Sequence, residues 1–139
     1  DKLGVFGFSA GGNLAVQTGY RKGTLDLPKE LQADYVVGVY SAYLMNEAED
    51  GLSEEFEVTK DSPPAFLTHS HDDGGGRKKA ATHPNSSVFL YIALGKADVD
   101  AELHIFRDGG HGYGMLDRGV MANQWTARCG EWLQQVYGE

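Results

Sequence analysis

Leu3-Gly4-Val5-Phe6-Gly7-Phe8-Ser9-Ala10-Gly11-Gly12-Asn13-Leu14-Ala15-Val16 decides how this chain is read. Leu3 to Phe6 form a short apolar run that predicts a buried strand, and Gly12 to Val16 predict the start of a helix. Between them, Gly7-Phe8-Ser9-Ala10-Gly11 has the pattern G-x-S-x-G. Between a strand and a helix, that pattern makes a turn so tight that small residues must flank the serine. The turn lifts the hydroxyl above the sheet edge, where a base can reach it. It also leaves the Ala10 N–H at a helix N-terminus, aimed at charge developing on an attacked carbonyl oxygen. Without such flanks the same five residues would be a plain glycine-rich turn.

A serine nucleophile needs a base, and the base needs an orienting group. Five histidines are available. His104 lies inside the run Ala101-Glu102-Leu103-His104-Ile105-Phe106, which predicts a strand, and His83 sits in a polar stretch before a helix. His69 and His71 fall where an acid is expected. His111, in Gly109-Gly110-His111-Gly112-Tyr113-Gly114, lies past the carboxyl end of a predicted strand and is framed by glycines. It is the candidate base; a solvated loop histidine is the plainer alternative. The acid should lie between serine and histidine in chain order. Pro63 to His69 predicts a proline-started strand, and Asp72 and Asp73 follow it. Either can orient the ring, and the other is then an ordinary turn aspartate.

The wider pattern alternates strands and helices. Strands are expected at about 3–8, 35–40, 65–69 and 101–106, and helices at about 10–21, 84–97 and 118–137. Val36, Val37 and Val39 suit a strand covered on both faces. Trp125, Cys129, Trp132, Leu133 and Val136 recur at helical spacing and predict an apolar stripe. Such alternation gives an α/β fold of about four parallel strands with helices on both faces. Ligands bind beyond the carboxyl ends of strands in such sheets, where Ser9, Asp73 and His111 all fall.

Composition bounds the function. The chain has 139 residues, enough for one core, and 41% hydrophobic residues. Its formal net charge of −8 argues against a general nucleic-acid binder. The basic cluster Arg77-Lys78-Lys79 is short and glycine-linked, as a solvated loop would be. No apolar run is long enough to span a bilayer. The lone Cys129 cannot form an internal disulfide and reads as a small core residue.

At this point the chain resembles a family. Leu3 to Ala15, Tyr40-Ser41-Ala42-Tyr43-Leu44, Thr59 to Leu67, Ala101 to Phe106 and Gly109 to Gly114 follow one another as in α/β-hydrolase-fold serine esterases. The branch is the acetylxylan-esterase-like or lipase/esterase-like one. The resemblance implies a partial α/β-hydrolase fold, with residues 1–139 as its carboxyl-terminal portion. It implies a Ser9–Asp73–His111 triad, because the family's His-x-x-x-Asp pattern, counted from His69, lands on Asp73. Ala10 would supply an oxyanion N–H, and Phe8 and Gly11 would lie beside bound substrate; Tyr43 and Tyr113 flank the expected site, where lining an acyl or sugar pocket competes with a core or surface position. The implied substrate is a short-chain ester, such as an acetylated carbohydrate, with no metal and no cofactor.

Two departures from the family stand out. The chain begins at the elbow strand, without the N-terminal strands and the His-Gly-Gly-type loop that gives a second oxyanion donor. The stretch from Gly74 to Ala81 also replaces a short turn into a helix. An elbow strand with one unpaired side is a pairing template. The chain is therefore expected to pair with another chain or with the missing half. Three other readings compete. His69-Ser70-His71-Asp72-Asp73 resembles the start of a metal-ligand run, but Gly74 stands where the last ligand belongs. A domain with one oxyanion donor could be an inert binding or structural module. A peptidase or a dienelactone-type hydrolase would use the same fold.

Overall fold

Valines at positions 36, 37 and 39 can be buried together only if both faces of their strand are covered. The computed structural model, which describes residues 2–74 and 79–138, shows that arrangement. Its elements are β1 (Gly4–Phe8), α1 (Ala10–Tyr20), β2 (Tyr35–Val39), β3 (Ala65–Ser70), α2 (Lys79–Thr82), α3 (Asn85–Lys96), β4 (Ala101–Phe106) and α4 (Trp125–Tyr137). The four strands form one parallel sheet in the order β1-β2-β3-β4. Most of the basic cluster around Arg77 lies outside the described residues.

Side chains alternate along each strand, so each strand feeds two cores. Val36, Ala65 and Leu67 pack with Val16 and Tyr20 of α1 and with Leu90 and Leu94 of α3. Val37, Val39 and Phe66 pack with Trp125, Cys129 and Trp132 of α4. Helices thus cover both faces, as the sequence predicts. Each of the large side chains in these layers contributes about 1.5–3 kcal/mol through burial. No helix among the described residues is long and apolar enough to cross a membrane.

Two local expectations are corrected. The last helix begins at Trp125, not near residue 118. Gly119 takes φ 71°, and the Arg118 N–H donates to Asn123 Oδ1 while Asn123 Nδ2 donates to the Leu116 carbonyl. These side-chain bonds hold an irregular loop, followed by a 3-10 turn at Met121–Gln124, ahead of α4. β1 is also not fully buried: it is an edge strand, and Phe6 is 58% exposed. Phe6 lies in register with Val37, but the apolar layer of α4 stops short of the edge. An apolar groove of about 300 Å³ remains there, lined by Gly4, Phe6, Tyr35, Val37, Met115 and Leu133.

Candidate active site

The elbow is held from three sides. Ser9 sits at φ 54° and ψ −120°, a conformation that strains any residue with a side chain. Its N–H donates to the Val39 carbonyl at 3.0 Å. Its carbonyl accepts from Asn13 N–H at 3.1 Å and from Ala42 N–H at 3.0 Å. A Cβ on Gly7 would lie 2.1 Å from the Gly11 carbonyl oxygen, so only glycine fits there. Gly11 has open space instead. Ala10 opens α1, and no acidic residue sits in that first turn. The early N–H groups of this helix lack intrahelical partners and present partial positive charge.

The His111 loop can reach the elbow because its glycines adopt left-handed backbone. Gly109, Gly110, Gly112 and Gly114 have φ of 150°, 59°, 81° and 57°. His111 Nε2 lies 2.7 Å from Ser9 Oγ, and its Nδ1 lies 2.8 Å from Asp73 Oδ2. An ionised carboxylate only accepts, so Nδ1 carries the hydrogen and Nε2 is free to accept from the serine hydroxyl. Asp73 Oδ1 accepts from Gly74 N–H at 2.6 Å. Burial raises the Asp73 pKa, but the hydrogen bonds from His69 and His111 outweigh it, and the carboxyl titrates below its ordinary value.

The neighbouring aspartate does different work. Asp72 Oδ1 accepts from Gly110 N–H at 2.8 Å, the main reason its pKa also lies below the ordinary value. Ser70 Oγ donates to the carbonyl of the same Gly110. Asp72 and Ser70 therefore grip both sides of the residue before His111, while Asp73 faces the ring. Trp125 Nε1 donates to the Gly114 carbonyl at 2.9 Å and ties the far end of the loop to α4.

Not every residue named from the sequence lines this space. Tyr113 is fully buried, with its hydroxyl 3.3 Å from Thr68 Oγ1, which places it in the core beneath the site. Phe8 is half-buried, and its ring packs against Tyr40 and Trp125. Tyr43 is exposed at φ 60°, with its N–H donating to the Ala81 carbonyl and its own carbonyl accepting from Asn13 Nδ2. Tyr40 was not singled out by the sequence. Its ring packs edge-on against His111 at 5.1 Å, and its φ is 38°. Thus Ser9, Tyr40 and Tyr43, three of the five non-glycine residues with positive φ among the described residues, cluster at the site. Three of the other histidines make no hydrogen bond to Ser9, His111 or Asp73 among the described residues. His71 is exposed, His83 accepts from Asn85 N–H, and His104 pairs with Glu102 on β4. His69 is buried with both ring nitrogens occupied, so His69 and His71 do not converge as metal ligands.

Comparison with solved structures gives the fold. An acetyl ester-xyloside bifunctional hydrolase from Caldicellulosiruptor lactoaceticus matches 97% of this chain and 57% of its own, at 28% identity and TM-score 0.74. An α/β hydrolase enzyme from a Medee basin deep-sea metagenome library matches 98% and 55%, at 25% identity and TM-score 0.69. The chain has the α/β-hydrolase fold. A thermophilic esterase from Thermogutta terrifontis shares this α/β-hydrolase architecture over 97% of the chain and 55% of its own, at 21% identity and TM-score 0.74. This α/β-hydrolase chain therefore spans just over half the length of the structures it matches. No protein-family model matches it, and no curated protein does.

Proposed function

We propose that Ser9, His111 and Asp73 hydrolyse carboxylic esters through an acyl-enzyme. The observation that carries this reading is the unbroken chain from Ser9 Oγ through His111 to Asp73, at 2.7 and 2.8 Å. His111 Nε2 takes the hydroxyl proton as Ser9 Oγ attacks the ester carbonyl carbon. The Ala10 N–H donates to the oxyanion. As the intermediate collapses, the C–O bond to the alcohol breaks and His111 returns the proton to the leaving alkoxide. Water then attacks the acyl group, gives a proton to His111, and releases the acid as Ser9 regains its hydrogen. Asp73 keeps the ring oriented and stabilises the imidazolium. These steps call on no cofactor.

For the substrate, we favour a short-chain ester such as an acetylated carbohydrate. The 28% identity to an acetyl ester-xyloside hydrolase supports that class. We also infer that the open side of β1 pairs with a strand from outside residues 1–139. Each matched structure has a further segment with no counterpart here, and the β1 groove is apolar. The test of the catalytic reading is covalent labelling by a fluorophosphonate, read by intact mass. The parent chain should gain one adduct and Ser9→Ala none. A folded parent that gains none overturns the reading.

A further inference from the structure

β3 ends its inward row on a residue that does not belong in an apolar core. Ala65 and Leu67 feed the layer under α1 and α3, and His69 is next on that face. His69 is fully buried, so both ring nitrogens need partners. Nε2 lies 3.1 Å from Asp73 Oδ2 and 2.9 Å from the Thr82 carbonyl oxygen. Both are acceptors, so the hydrogen is on Nε2 and is shared between them. Nδ1 then accepts from the Ser87 hydroxyl at 2.9 Å, and Ser87 is itself buried on α3. No position on the ring is left unsatisfied.

Asp73 Oδ2 is thereby held between two imidazoles, His111 at 2.8 Å and His69 at 3.1 Å. The carboxylate is fully buried. The Gly74 N–H holds Oδ1, and the two rings share Oδ2, so His69 adds a second side-chain donor on the oxygen that faces His111. We infer that His69 is a positioning residue for this site: its Nε2–H, braced by Ser87 and Thr82, fixes the Asp73 carboxylate toward His111 and takes part of its charge. This rests on the reading of His111 as the base.

Other titratable groups stand nearby. Tyr40 packs against His111 and Tyr113 packs behind Tyr40, both kept neutral by burial, which raises their pKa values. Arg118 lies toward Tyr40, Asp72 grips Gly110, and His83 follows Thr82. Only His69 and His111 donate to Asp73 from side chains among the described residues.

The test uses His69→Leu, which deletes the N–H, His69→Gln, which keeps an amide N–H, and Ser87→Ala, which frees Nδ1. The fluorophosphonate labelling rate is followed against pH. Without His69, the Asp73 charge falls wholly on His111, the imidazolium is favoured, and Ser9 loses its base at a higher pH. His69→Leu should slow labelling about 10- to 100-fold, the size of one hydrogen bond to a charged group. It should also move the acid limb up by about one pH unit. His69→Gln should recover most of the rate, with Ser87→Ala between the two. Equal loss in Leu and Gln variants with an unmoved acid limb would make His69 a packing residue and overturn the inference. If His69→Leu does not fold, a folded Ser87→Ala that labels like the parent at every pH also overturns it. The contact has its own readout when labelling fails. The parent should show a downfield imidazole N–H proton signal that vanishes in His69→Gln and shifts in Asp73→Asn. Its absence overturns the inference whether or not Ser9 reacts.

Discussion

The carboxyl end of the sheet and the free side of β1 are built in opposite ways. At the carboxyl end, Ser9, His111, Asp73 and His69 form one hydrogen-bonded row, and three strained residues are pinned around it. Along the free side of β1, Leu3, Phe6 and Met115 lie open, at 56%, 58% and 66% exposure. The proposed proton path from Ser9 through His111 to Asp73 lies wholly within residues 1–139. The β1 edge contributes nothing to that path; in the proposed mechanism Ala10, on the other side of Ser9, gives the oxyanion donor. Chemistry and edge can thus be broken separately.

The largest effects should fall on the row itself. Asp73→Asn places the wrong hydrogen-bonding group against His111 Nδ1 and should slow labelling of Ser9 by about 10⁴-fold. Asp72→Asn weakens only the grip on Gly110 and should cost about tenfold, in line with one hydrogen bond to a charged group. The two rates, measured side by side, separate neighbours that the residues alone leave open and that only the family's spacing from His69 ranks. Comparable losses would mean that Asp73 has no special part.

The two motif glycines should come next, with opposite signs. Gly7→Ala drives a methyl into the Gly11 carbonyl and should cost about 3 kcal/mol, the upper end for overpacking. Gly11→Ala points into open space inside α1 and should add about 0.5 kcal/mol by stiffening the helix. Urea midpoints of the two variants decide this. A Gly7→Ala protein as stable as the parent would show that the elbow has room for a methyl group beside the Gly11 carbonyl.

At the edge, Phe6→Lys puts a charge where pairing would occur. The parent should associate as concentration rises in sedimentation velocity, while Phe6→Lys should stay monomeric and label at the parental rate. Association that persists in the variant would place the contact elsewhere.

Those contrasts also show what can be read from residues. The elbow was legible because Gly7 and Ser9 answer a local demand: a close approach and a tight turn between a strand and a helix. The sheet was legible because Val36, Val37 and Val39 need cover on two faces. The duties of Asp72 and His69 were not, because they depend on which way side chains leave one turn and on Ser87, far along the chain; Asp73 was preferred to Asp72 only through the family's spacing from His69. Whether Tyr113 is a core or a pocket residue stayed open for a similar reason. Its glycine neighbours mark a loop, but Trp125 draws that loop onto α4 and buries the ring. The start of α4 was misplaced because Asn123 caps backbone groups of the preceding loop, a competition that periodicity does not reveal.

The smallest effect is acid sensitivity, and it compares the same two regions. Asp72 and Asp73 at the site and Asp34 beside β1 all have pKa values below the ordinary one. For Asp34 the first cause is the Leu3 N–H, which donates to it at 2.8 Å. A carboxyl whose folded pKa is depressed stabilises the fold above its unfolded value, about 3.9 for Asp, and that stability is lost as pH falls through the folded value. The parent should therefore hold its urea midpoint from neutral pH down to about pH 5 and lose it progressively below about pH 4. Asp73→Asn should flatten that decline visibly, since its carboxylate is buried. Asp34→Asn should flatten it less, because its side chain is partly exposed and water screens the charge. Midpoints at pH 7, 5, 4 and 3 rank the two. A steeper contribution from Asp34 would mean that the β1 edge, and not the site, carries the electrostatic strength of the fold.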